Sequence, residues 1–77
     1  MIRVIIVEDD REIRENLSVL LNESEGIKLA GSYGDCETAL KNIHEDFPDV
    51  ILMDISLPGM NGIECVKKIR EKDEALD

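Results

Sequence analysis

No segment of this chain approaches the ~20 consecutive apolar residues of a membrane-spanning helix. The opening MIRVIIVEDD has too short an apolar run for a secretory leader and turns acidic at once. Internal repeats, low-complexity tracts and linkers are absent from the sequence. So are a nucleophile–base pair, a Gly-rich phosphate loop and any cofactor motif, which argues against an enzyme with an external substrate. Basic residues are scarce: nine stand against 18 acidic ones, a net charge of −9. Phosphates would be repelled, which argues against a nucleic-acid-binding surface on this stretch. Cations or a basic partner surface would be attracted, although the same charge also serves plain solubility. Cysteine is limited to Cys36 and Cys65, without CxxC spacing. The simplest expectation is a cytoplasmic protein whose two reduced thiols act as small apolar fillers.

What is present is an alternation. At 77 residues the chain is expected to be one small domain, 1–77, with a marginal core. IRVIIV is apolar nearly throughout and β-branched, which suits a strand covered on both faces. DREIRENLSVLLNESEG changes period: Ile13, Leu17, Leu20 and Leu21 fall at helical spacing, with Asp10 as N-cap and Gly26 as stop. IKLAGSYG is a weaker strand. DCETALKNIHEDFP is helical again, capped by Asp35 and ended by Pro48, with Ala39, Leu40, Ile43 and Phe47 as its apolar stripe. DVILMD is the third strand. NGIECVKKIREKDE is the third helix, with Asn61 and Glu64 at capping-box spacing and Ile63, Val66 and Ile69 facing inward. The order β-α-β-α-β-α predicts an α/β fold with right-handed crossovers, most simply an open doubly wound parallel sheet.

Ligands bind such sheets outside the carboxyl ends of the strands, where the winding reverses. Glu8, Asp9 and Asp10 follow the first strand, and Asp54 ends the third. In the flavodoxin-like strand order 2-1-3 those two strands are neighbours, so Glu8, Asp9 and Asp54 are expected to converge. Packed carboxylates repel one another unless a cation intervenes, and hard oxygen ligands with room for water suit Mg²⁺. Each acid also has a plainer reading. Glu8, Asp9 and Asp10 could cap a helix in solvent, and Asp54 could form an Asx turn.

VIIVEDD, DVILMDISLPGMNGIE and the element order together resemble a bacterial two-component response-regulator receiver domain. The resemblance covers nearly the whole chain. MDISLPGMNG is its strongest part, and the DISLPGMNGIE wording is most like receivers of LuxR-type helix-turn-helix regulators. The resemblance implies that Asp54 is the phosphoacceptor, taking a phosphoryl group from a sensor histidine kinase with the help of Mg²⁺. It implies that Asp9 binds the ion directly, Glu8 through water, and Ser56 through its backbone carbonyl, in a turn shaped by Pro58 and Gly59. His44 is then a surface residue, because the phosphohistidine belongs to the partner. Met53 and Met60 are expected to pack, and KKIREK to form a solvated face with Glu–Lys pairs.

A complete receiver continues past the third helix, to a strand carrying Ser or Thr and a further strand carrying Lys. The chain is therefore expected to be a truncated receiver with no output domain, so that any DNA contact lies outside it. DVILMD would then be an edge strand with apolar side chains on both faces, which predicts a homodimer or higher oligomer. The alternative reading is a chemically silent half-flavodoxin fragment that acts only through self-association.

Overall fold

The computed structural model describes residues 1–54, 57 and 59–76. The elements run β1 (Ile2–Val7), α1 (Arg11–Glu23), β2 (Ile27–Tyr33), α2 (Cys36–Asp46), β3 (Val50–Met53) and α3 (Gly62–Leu76). The strands form one parallel sheet in the order β2-β1-β3, the flavodoxin-like arrangement. β1 is central, and its Val4–Val7 are buried as a doubly covered strand requires. Ile5 and Val7 enter one core with Cys36, Ala39 and Ile43 of α2, Cys65 and Ile69 of α3, and Leu57. α1 packs against β1 and β2 on the opposite face.

Side-chain caps start each helix. Asp10 accepts the Ile13 N–H at 3.1 Å, Asp35 the Thr38 N–H at 2.7 Å, and Asn61 the Glu64 N–H at 3.0 Å. The bond from Thr38 holds the Asp35 carboxyl below the usual carboxylate range. The β1–β2 register skips Ala30 between the Val4 and Ile5 pairings. Ala30 and Tyr33 lie three residues apart, yet both pack against the α2–α3 core. On a regular strand an odd spacing sends side chains to opposite faces, and the extra residue removes that conflict.

Several sequence expectations need correction. The α1 stripe is only partly covered: none of its residues is fully buried, and Ile13 and Leu20 stay exposed. One helix on that face cannot enclose its own apolar side. Phe47 is not part of the α2 stripe but lies beyond the helix end, 69% exposed, at φ 44. Pro48 disfavours the helical region for the residue before it, which forces the break there. On α3 the inward residues are Cys65 and Ile69, while Ile63 and Val66 are exposed. The helix leans on α2, which leaves that pair beside β3's open side, where they share a groove with Met53 and Arg70.

Cys36 and Cys65 are not free thiols. They form a disulfide between α2 and α3, with Cα atoms 5.7 Å apart. Their separation of 29 residues carries no local motif, so only the packing of the two helices brings them together. The Met60 sulfur lies 3.5 Å from that of Cys36. Among the described residues β3 pairs with β1 alone, and Val50 and Leu52 are exposed. Among the described residues no helix is long and apolar enough to cross a membrane.

Candidate functional site

Val7 and Met53, the last residues of β1 and β3, are paired, so Glu8 and Asp54 leave the sheet side by side. The Asp54 N–H donates to the Val7 carbonyl at 2.9 Å, which carries the pairing one residue past the strand. On the other side, the Glu8 N–H donates to the Tyr33 carbonyl at 3.0 Å. The strand ends therefore set the backbone of both acids. Asp10 serves the helix as its cap. Glu8, Asp9 and Asp54 remain, and each offers a carboxylate oxygen within 4.8 Å of the others. Asp9 is exposed, and the other two are half-buried.

The Glu8 Oε2 atom is buried, and no N–H among the described residues donates to it. The Glu8 carboxyl is pushed up from 4.5 to about 7, foremost by the hydrogen bond it shares with Asp54, then by burial, then by the charges of Asp54, Asp9 and Asp10. Between pH 4.5 and about 7 the folded chain thus holds a proton that the unfolded chain has lost. Stability from this group is full below pH 4.5 and is lost as pH rises through about 7. A cation among the carboxylates would offset the part of the shift that comes from neighbouring negative charge. The donor set is all oxygen and acidic, which suits a hard divalent ion and not a thiophilic one.

Of the other residues singled out in the sequence, Ser56 and Pro58 lie outside the described residues. His44 is exposed in the last turn of α2. Met53 and Met60 pack against the core. Lys68 and Glu71 form an exposed pair at 3.7 Å. Arg14 escaped sequence reading: its Nη1 donates to the Glu8 carbonyl at 2.7 Å. The only signal for it was a cation one turn into the helix that follows the acids.

The response regulator receiver domain family matches residues 4–77. The chain is 39% identical to the transcriptional regulatory protein MalR of Bacillus subtilis over 77 residues, 100% of this chain and 33% of MalR. It superposes on the response regulator domain of Thermotoga maritima CheB with a TM-score of 0.87 at 38% identity, covering 94% of this chain and 54% of that one. CheY of Borrelia burgdorferi, crystallised in a complex with CheX, BeF₃ and Mg²⁺, matches with a TM-score of 0.81 at 29% identity, covering 95% of this chain and 55% of that one. With its parallel sheet and acids at the strand ends, the chain belongs to the response regulator receiver domain family.

Proposed function

We propose that this chain is the phosphoacceptor part of a two-component receiver, in which Asp54 takes a phosphoryl group from the phosphohistidine of a sensor kinase. The observation that carries the reading is the buried Glu8 Oε2, crowded by the carboxylates of Asp9 and Asp54 and reached by no N–H donor among the described residues. A buried carboxylate oxygen packed against other carboxylates favours a cation site over a solvated cap, and weighs against a silent fragment. Asp9 and Asp54 would hold Mg²⁺ directly, Glu8 through water, and Ser56 through its carbonyl. When bound, the ion neutralises charge between the carboxylate and the incoming anionic phosphoryl group. Asp54 supplies the nucleophilic oxygen: its O–P bond forms as the N–P bond to the kinase histidine breaks, and the imidazole nitrogen keeps the electron pair. The product is an acyl phosphate. The rest of the reading is a cytoplasmic chain, where a reducing pool would act on the Cys36–Cys65 disulfide, serving as part of a transcription regulator that meets DNA only through residues outside this stretch.

Incubation with Mg²⁺ and acetyl phosphate is expected to add one phosphoryl group by mass, and Asp54→Asn is expected to abolish the addition. Metal affinity should fall below pH 7, because protonated Glu8 then competes with the ion. Amide signals at Asp9 and Asp54 that ignore both Mg²⁺ and acetyl phosphate would sink the reading.

The exposed edge of β3 supports a second element of the proposal, self-association of the 77-residue chain as a homodimer or higher oligomer. With a net charge of −9, association should strengthen with salt. Sedimentation at micromolar concentration tests it. A compact monomer with no concentration dependence overturns it.

A further inference from the structure

The Glu8 peptide unit is pinned from two directions. Its N–H donates to the Tyr33 carbonyl at 3.0 Å, and its carbonyl accepts from Arg14 Nη1 at 2.7 Å. The second bond comes from a long side chain that folds back from the first turn of α1, where the Arg14 N–H donates to the Asp10 carbonyl at 2.9 Å. The guanidinium also lies against Gly34: a Cβ there would sit 3.2 Å from Nη1 and 3.8 Å from Cζ. Among the described residues the ion pairs are Arg11–Glu15 and Lys68–Glu71, both exposed. Arg14, beside an acidic cluster, spends this bond on a backbone carbonyl instead. That carbonyl belongs to the peptide linking Glu8 to Asp9, so its orientation sets where both side chains start.

We propose that Arg14 is the positioning residue of the carboxylate site: by donating to the Glu8 carbonyl in the space Gly34 leaves open, it holds the turn that presents Glu8 and Asp9 to a divalent cation. The proposal rests on the cation-site reading given above. Groups that orient metal ligands from behind carry roughly 10- to 100-fold in affinity when removed. Arg14→Met keeps the apolar stem and removes the donor, so Mg²⁺ affinity should fall by that factor. Arg14→Lys restores a donor for the single carbonyl and should recover most of the loss. Gly34→Ala approaches from the other side. Its backbone lies outside the left-handed region, so alanine adds no backbone strain, and the new methyl, 3.2 Å from Nη1, presses the guanidinium away from its place by the Glu8 carbonyl. It should weaken Mg²⁺ in the same direction.

The experiment titrates Mg²⁺ into the wild-type chain and the three variants, following amide signals, with a urea midpoint for each. In the metal-free chain, the Asp9 amide nitrogen, bonded to the freed carbonyl carbon, should shift in Arg14→Met and return toward wild type in Arg14→Lys. A wild-type chain that ignores Mg²⁺ overturns the cation site itself. A wild-type chain that responds, with Arg14→Met and Gly34→Ala responding within about 2-fold of it, overturns the role of Arg14 alone. Losses of affinity that track losses in urea midpoint across the variants, with no rescue by lysine, also overturn it, because Arg14 is then only a brace for α1.

Discussion

Reduction of the Cys36–Cys65 disulfide is expected to cost the fold about 3–4 kcal/mol. The bond closes a loop with a sequence separation of 29. Loop-closure entropy for a ring of that length is worth about 3.5 kcal/mol in the unfolded chain. A domain of this size has roughly 4–12 kcal/mol in total, so the bond is a large fraction of what holds it. Both sulfurs are fully buried in the core that also contains Ile5, Val7 and Leu57. Reduction therefore leaves that packing nearly intact and acts mainly by enlarging the unfolded ensemble. The test is urea unfolding with and without dithiothreitol, with thiol content confirmed by mass. With a slope of about 1–3 kcal/mol per molar, the midpoint should drop by roughly 1–4 M. A midpoint unmoved in chains shown to be fully reduced overturns the expectation.

Gly31→Ala should be nearly as damaging, about 2–4 kcal/mol. A Cβ at position 31 would lie 2.6 Å from both Asp46 Oδ2 and the Tyr33 hydroxyl oxygen, and 2.8 Å from Tyr33 Cε2. Those atoms are not free to step aside, because the Tyr33 hydroxyl donates to the Asp46 carboxylate. Burial, the bond to Asp46 and nearby negative charge push that hydroxyl up to about 12, so it keeps its proton at neutral pH. The Asp46 carbonyl in turn accepts from Arg3 Nε at 2.7 Å. An added methyl must break the Tyr33–Asp46 bond or bend β2. Bending β2 also moves the Tyr33 carbonyl that holds Glu8. The melting temperature should fall by roughly 10 °C or more. In a double-mutant cycle Tyr33→Phe should cost much less in the alanine background than alone, because the bond is already broken. A variant within about 0.5 kcal/mol of wild type would show that the cradle around Gly31 yields freely.

Much of the fold was legible because its signals are local. A continuous apolar, β-branched run gives way to period 3.6 after Val7, a weaker strand does so after Tyr33, and Asp10, Asp35 and Asn61 mark helix starts by side-chain chemistry alone. The strand order and the convergence of Glu8, Asp9 and Asp54 followed from the alternation, since few topologies suit it. What stayed hidden depends on how elements lean. The disulfide requires α2 and α3 to touch at one pair of positions, and nothing within ten residues of either cysteine signals that. Ile63 and Val66 have the same periodicity as buried residues, but only the tilt of α3 decides that Cys65 and Ile69 take the inward places. The register skip at Ala30 leaves no mark in composition. Arg14 reads as an ordinary exposed helix charge until the loop before it is built.

The sheet is covered unequally, and the inequality runs through the acidic site. On one face α2 and α3 are joined covalently and enclose most of the fully buried side chains. On the other, α1 contributes no fully buried residue. Opening free energies follow such differences, so separation of α1 from the sheet lies lower on the ladder of local unfolding than anything that parts α2 from α3. Asp54 follows β3 and its backbone is held by the sheet, through the bond to Val7, whereas Glu8 and Asp9 lead into α1. The three carboxylates thus belong to two regions with different opening frequencies. A divalent ion bound across them would be a clasp between those regions, and part of its binding free energy would oppose the opening of α1.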